Sequence, residues 1–299
     1  MLDRAIVRVL PAVPRSVVRR VAAPYIAGPT LDDARRVVSG LNAAGMRATV
    51  DVLGEEIAEP HEAEAIAQSY HAALEAIAAD GLDANVSIKL TGFGLKLDPE
   101  LSRTLVGIAH ELADARGIFV GIDMEDSSTT DDALGLYRSL REQGRDRVGV
   151  VLQAALRRTL DDIEALAPLR PSVRLCKGIY VEPPSIAFQE FEAIRASFVA
   201  CLDALLATDA RTAIATHDEW LLERTLERVA GLDRDAFELQ MLLGVRGDRA
   251  RELVAVGYPL RVYVPYGRQW YEYSLRRLQE NPKVAGYVAR DVVGRVFRR

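Results

Sequence analysis

From Gly45 onward the apolar positions fall into one repeating order: a helical stretch, a turn, then a short Val- and Ile-rich run whose last residue or two are polar. The runs lie near Ala48 to Val52, Val86 to Leu90, Phe119 to Met124, Gly149 to Gln153, Val173 to Lys177, Ala213 to His217, Phe237 to Leu242 and Leu260 to Val264. Short runs rich in β-branched residues, each separated from the next by a helical segment, predict strands joined by crossover helices. Roughly eight such units is the count of an α/β protein of the (β/α)8 TIM-barrel type, and right-handed crossovers would bring the C-terminal strand ends to one rim.

The two ends of the chain depart from this order. After the last run, Pro265-Tyr266-Gly267 is expected to break the strand, and a helix follows on which Tyr273, Arg277 and Glu280 share a face with Arg276 beside them. Asn281-Pro282 then stops it. Two adjacent guanidiniums steadied by a carboxylate and roofed by tyrosines form a fork suited to a small carboxylate, although the same spacing also suits a solvated, salt-bridged helix. At the other end, residues 1–23 set Arg4, Arg8, Arg15, Arg19 and Arg20 among apolar Leu2, Ile6, Val9, Leu10, Val13, Val17, Val18 and Val21, with Pro11 and Pro14 dividing the segment into two short helices. Such a basic amphipathic segment either packs on its own domain or lies on an anionic membrane surface. Thr30 is the expected N-cap of a helix over Asp32 to Asn42. The expected organisation is an N-terminal helical extension over 1–44 and a catalytic barrel over 45–299.

Composition narrows the function classes. At 299 residues with a net charge of -5, the chain has no basic field that would call for nucleic acid. Its two cysteines, Cys176 and Cys201, lack metal-ligand spacing and predict free thiols in a reducing compartment. With no long apolar run and no leader-like N-terminus, the expected location is the cytoplasm.

The predicted rim collects Asp51 with Glu55, Lys89, Asp123 with Glu125, Gln153, Arg174 with Lys177, Thr216 with His217, Gln240 and Tyr263. Each could be an isolated structural pair or a satisfied core group. Every strand delivering one is harder to explain by packing, because core physics favours apolar residues there. Neither a Rossmann fingerprint, a P-loop nor a nucleophile elbow is present. Only His217 of the four histidines falls at the rim, so no metal is expected. The rim is cationic and amide-rich, and Lys177-Gly178 allows close backbone approach. Two classes fit these residues: a flavin oxidoreductase, and a Schiff-base aldolase using Lys89 or Lys177 as nucleophile.

The motifs at these strand ends resemble the proline dehydrogenase family, particularly its short monofunctional bacterial members. The resemblance runs through DVLGE (51–55), VSIKLTGFGL (86–95), IDMEDS (122–127), VGVVLQA (148–154), RLCKGIY (174–180), ATHD (215–218) and FELQMLLGVR (237–246) to RVYVPYGRQWYEYSLRRLQENP (261–282). It implies a (β/α)8 barrel that oxidises L-proline to 1-pyrroline-5-carboxylate by hydride transfer to the N5 of FAD, with FMN the alternative, and passes the electrons to a quinone. The product would be handed to a pyrroline-5-carboxylate dehydrogenase, and the basic N-terminus could make peripheral contact with the inner face of the membrane. By position, the resemblance makes Lys89, Asp123 and Arg174 catalytic. Arg276 and Arg277 would grip the substrate carboxylate with help from Lys89, which Asp123 would orient. Leu242, Tyr263 and Tyr273 would wall the ring, Glu280 would hold the arginine pair, and Glu55 would reach Arg276 as a gate. The flavin would be met by Met124, Gln153, Arg174, the turn Lys177-Gly178-Ile179-Tyr180, Thr216 and His217. One departure stands out: the family usually has alanine where this chain has Ile179, which bears on substrate range.

Overall fold

The structure, a computed structural model, describes residues 23–55, 57–271 and 274. Eight strands pair in parallel and in chain order: β1 (Arg47–Val52), β2 (Ala84–Ile88), β3 (Val120–Ile122), β4 (Val148–Gln153), β5 (Ser172–Cys176), β6 (Arg211–Ala215), β7 (Phe237–Leu242) and β8 (Leu260–Tyr266). The ring closes where β8 pairs with β1, from Arg47↔Arg261 to Val52↔Tyr266. Helix α1 (Leu31–Ala43) precedes β1. One further helix stands between each pair of successive strands: α2 (Pro60–Ala79), α3 (Pro99–Asp114), α4 (Thr130–Glu142), α5 (Thr159–Leu166), α6 (Phe191–Leu206), α7 (Glu219–Val229) and α8 (Gly247–Ala255). The predicted (β/α)8 architecture is therefore the observed one.

Period-two alternation within the strands explains why this barrel has a functional interior. In β5, Val173 and Leu175 belong to the hydrophobic core while Arg174 between them reaches across to Asp123. In β7, Phe237, Leu239 and Met241 are core residues while Glu238 and Gln240 are buried polar ones. Apolar side chains thus face the helices and polar ones face the bore, so helix packing and site construction use opposite faces of the same strands. The helices contribute matching stripes, as in α2, where Ala63, Ile66, Ala67, Tyr70, Ala73, Leu74 and Ile77 are buried at helical spacing. Thr30 caps α1 as expected, its side chain accepting from Asp33 N while the Asp33 carboxylate returns the bond to Thr30 N.

Two expectations about strand ends are corrected. Pro265 does not break β8, whose pairing with β1 runs through Asp51↔Pro265 to Val52↔Tyr266. Proline removes only its own N–H, and the remaining groups there are used: Pro265 O accepts from Ala27 N at 2.9 Å and Tyr266 O from Leu53 N at 2.8 Å. The break comes at Gly267, whose φ of +139° suits glycine. In β2, β3 and β6, Lys89, Asp123, Thr216 and His217 lie just beyond the last strand residue, because there the backbone leaves the ladder. The Pro183-Pro184 loop after β5 is pinned by an Arg157 Nε bond to Pro184 O at 2.8 Å. Residues 1–22 of the basic segment, and Tyr273, Arg276, Arg277 and Glu280 of the carboxylate fork, lie outside the described residues. Among the described residues, no helix is long and apolar enough to cross a membrane.

Candidate active site

Four charged side chains from β1, β3, β5 and the end of β2 meet at the C-terminal mouth. Asp123 is the hub. Its Oδ1 accepts from Arg174 Nη1 at 2.6 Å and Ser87 Oγ at 2.5 Å, and its Oδ2 accepts from Tyr263 OH at 2.7 Å. Burial alone would raise the carboxyl, but the Arg174 and Lys89 cations outweigh it and hold Asp123 below the usual carboxylate range. Lys89 was expected to be oriented by Asp123, yet its hydrogen bond goes to Asp51 Oδ1 at 2.7 Å, with Asp123 Oδ2 at 3.8 Å. Asp123 already receives three donors, two on Oδ1 and the Tyr263 hydroxyl on Oδ2, whereas Asp51 Oδ1 stands nearer to the ammonium. Burial would lower the Lys89 ammonium, but Asp51, Asp123 and then Glu55 raise it, so Lys89 is held charged.

Tyr263 lies against this cluster. Its hydroxyl accepts from Lys89 Nζ at 3.2 Å while its ring stands 5.4 Å from the Arg174 guanidinium carbon. Burial, followed by the nearby Asp123 and Asp51 carboxylates, raises the phenol well above its ordinary value, so it acts as a neutral donor. Leu242 ends β7 half-buried on the same rim. Its backbone N–H donates to His217 Nε2 at 2.8 Å, which commits that ring nitrogen as an acceptor.

The remaining rim residues form a second group beside the first. Gln153 Nε2 donates to Glu125 O at 2.7 Å, and Glu125 is itself held by the Thr91 backbone N–H at 3.0 Å and by the Thr91 hydroxyl. Burial pushes Glu125 upward against those bonds. Met124 is buried beside it. Thr216 Oγ1 accepts from Asp218 N at 3.1 Å. Asp218 gathers Lys177 Nζ at 3.2 Å and Arg195 Nη2 at 2.7 Å, and although burial opposes it, these cations pull its pKa down to about 2. Ile179 is 46% exposed, and Glu55 is half-buried at the end of the β1 loop. Burial pushes the Cys176 thiol up to about 11, so it stays protonated and takes no part as a nucleophile.

Two observations test whether a planar, hydrogen-bonding cofactor fits this rim. Arg174 Nε is buried and has no partner among the described residues, although its Nη1 donates to Asp123 and Ser87. Gly178 has a φ of +98°, and a Cβ there would stand 2.8 Å from Gln153 Oε1, so a side chain would fill the cradle between the Lys177 turn and Gln153. Both fit a flavin.

A family model described as proline dehydrogenase matches residues 34–290. The chain is 37% identical to Proline dehydrogenase 1 of Bacillus subtilis strain 168 over 271 residues, which covers 90% of this chain and 89% of that protein. It is also 36% identical over 275 residues to the proline dehydrogenase of Deinococcus radiodurans, again covering 90% and 89%. The chain belongs to the proline dehydrogenase family. Proline utilization A from Bdellovibrio bacteriovorus shares the fold, with a TM-score of 0.82 at 23% identity over 91% of this chain, which spans 36% of that longer protein. Flavin dependence is a property of proline dehydrogenases, and it agrees with the orphaned Arg174 donor and the Gly178 cradle.

For this family member, the structure brings together Lys89, Asp123, Arg174 and Tyr263 as one hydrogen-bonded unit. Sequence reading noted Asp51 only as a rim residue and missed Ser87 and Tyr70. Ser87 carried a signal, because it stands two residues before Lys89 on the same strand face. Tyr70 carried none, since on α2 it reads as one more residue of the core stripe.

Proposed function

We propose that the protein oxidises L-proline to 1-pyrroline-5-carboxylate with FAD and passes the electrons to a quinone. The observation that carries this reading is the Lys89 ammonium, buried at the mouth and held charged by Asp51 and Asp123. A charged lysine recognises a carboxylate but is a poor Schiff-base nucleophile, which weighs against the aldolase alternative. Arg276 and Arg277 would supply the bidentate part of the grip, and Glu280 and the Glu55 gate would close it. Tyr263, Leu242 and Tyr273 would wall the ring.

Met124, Gln153, Arg174, the Lys177 to Tyr180 turn, Thr216 and His217 would hold the flavin, which when bound supplies the two-electron acceptor. The chain's own residues orient the substrate. With the carboxylate held at Lys89, the neutral amine's lone pair forms the C=N bond as a hydride leaves the ring CH2 bonded to nitrogen for that acceptor and the N–H proton passes to water. Asp123, kept ionised by Arg174, holds Tyr263 and Arg174 in place through this step. Beyond Gly178, Lys177 and Arg195 stand over the Phe191 ring at 4.9 and 4.2 Å. This cationic, aromatic edge suits the larger FAD over FMN. We read 45–299 as the catalytic barrel and 1–44 as an extension whose basic segment contacts anionic membrane near the quinone.

The deciding experiment is the visible spectrum of the purified protein. The expected result is a non-covalent flavin, released as FAD on denaturation and bleached by L-proline without oxygen. A colourless protein that takes up no FAD, and that borohydride traps with a carbonyl substrate through a lysine, would overturn the reading.

A further inference from the structure

Two carboxylates face Lys89, and they are not equivalent. Asp123 already accepts from Arg174, Ser87 and Tyr263 and stands 3.8 Å from the Lys89 nitrogen. Asp51 is fully buried, with 0% of its surface exposed, and serves Lys89 at 2.7 Å. Among the described residues, its Oδ2 has no hydrogen-bond partner. Leaving a buried carboxylate half-satisfied is costly unless a charge stands against it, and here that charge is Lys89.

Asp51 is in turn set by a residue from outside the barrel. The direct ladder between β1 and β2 ends at Val50↔Val86. Just beyond it the phenol of Tyr70, on α2, enters between the two strands. Its oxygen accepts from Val52 N at 3.2 Å, and its hydrogen is shared between Ser87 O at 2.5 Å and Asp51 Oδ1 at 3.2 Å. Tyr70 thus stands where a strand-to-strand bond would otherwise form. Its ring is fixed 5.4 Å from that of Phe93.

We propose that Asp51, held by the Tyr70 phenol wedged between β1 and β2, is the positioning residue that aims the Lys89 ammonium at the substrate carboxylate. The proposal rests on the function argued above. An ammonium has three donors. Among the described residues, Asp51 and Tyr263 take two of them, which leaves one for a ligand. Without Asp51 the flexible lysine loses its shortest bond and is left with the Tyr263 hydroxyl and the more distant Asp123, which hold its head less firmly at the mouth. Asp51 and Tyr70 would therefore act on carboxylate recognition and not on electron transfer.

The test uses the flavin-loaded enzyme with Asp51→Asn, close in shape to the original, and Tyr70→Phe, which keeps the ring against Phe93. Loss of one charge-assisted anchor should raise KM for L-proline and weaken cyclopentanecarboxylate binding about tenfold or more, with kcat changed less than about threefold. Tyr70→Phe should move both in the same direction by about threefold. Binding of pyrrolidine, the same ring without a carboxylate, should not change, and neither should the flavin spectrum. Equal losses for cyclopentanecarboxylate and pyrrolidine, or an unchanged KM in Asp51→Asn, would overturn the assignment. If Asp51→Asn fails to fold, an unchanged KM and unchanged cyclopentanecarboxylate binding in Tyr70→Phe would overturn it alone. A wild-type protein that does not oxidise proline would instead overturn the function reading.

Discussion

The barrel carries a buried ionic network at each end, and the two are built to opposite standards. At the N-terminal end Glu238 Oε1 accepts from Arg261 Nε at 2.7 Å and Gln240 Nε2 at 2.9 Å, and its Oε2 meets Arg47 Nη1 at 3.4 Å. Arg261 spends a further donor on Ala48 O at 2.6 Å. At the C-terminal end Asp51 Oδ2 and Arg174 Nε are buried without partners among the described residues. A polar cavity of about 190 Å³ sits among the N-terminal strand ends, lined by Asn85, Ser172, Arg211 and Glu238, and reaches inward to Gly149 and Arg174. The satisfied network fastens strands together. Lower in the barrel Thr49 Oγ1 and Asn85 Oδ1 are also unmet, but they are neutral, whereas the unmet atoms of the mouth belong to charged groups and suit something that is not part of the chain.

The largest expected effect comes from breaking the fastened end. Arg261→Met would strand Glu238 in the core, and breaking one side of a buried pair costs about 3–5 kcal/mol. Calorimetry should show Tm falling by roughly 10 °C, while the folded fraction keeps its flavin and its KM. A fall in proline affinity at constant Tm would erase the distinction between the ends. The same end gives a pH signature. Although burial opposes it, Arg261 and the other donors depress Glu238 below its ordinary value of 4.5, so the unfolded chain takes up that proton first. Its contribution is present in full above that value and is lost as pH falls through the lower folded-state pKa. Glu238→Gln should flatten the acid limb of a stability-against-pH curve.

Arg277→Lys sharpens the comparison from the other side. Replacing a planar fork by one ammonium should cost about 1.5–3 kcal/mol of substrate binding, raising KM about ten- to a hundredfold with flavin content and Tm unchanged. Unchanged kinetics would place the arginine outside the site.

Smaller effects are expected further out on the rim. Ile179 is 46% exposed, so trimming it opens no core cavity. Ile179→Ala should alter proline turnover by less than about threefold and improve turnover of a bulkier ring-substituted analogue. A large gain for proline itself would mean that the native substrate is a different secondary amine. Smallest of all, deleting residues 1–23 should leave dye-linked turnover intact and weaken sedimentation with anionic vesicles. If the full-length chain does not bind vesicles, the segment only packs.

Much of this was legible before any coordinates. Short β-branched runs ending in polar residues dictate strands, and eight of them separated by helices leave few topologies. Lys89, Asp123, Gln153 and Arg174 stood out because a buried strand has no packing reason to carry them. Pro265 misled, because a local propensity to break a strand yields when the proline's carbonyl still finds a donor, here Ala27 N.

Sequence alone determined most of the residues that reach the mouth, because side-chain alternation along a strand is a local property with a fixed period, but Gln240, expected at that rim, bonds to Glu238 lower in the bore. Sequence could not determine how they pair. Whether Lys89 belongs to Asp51 or to Asp123 depends on the stagger of β1, β2 and β3 around a closed ring and on which acceptors other donors have already filled. Tyr70 is the sharpest instance. Its spacing on α2 says only that it is buried, and its chemistry follows from its hydroxyl reaching the gap where the β1–β2 ladder ends, a place that exists only once helix and barrel have packed.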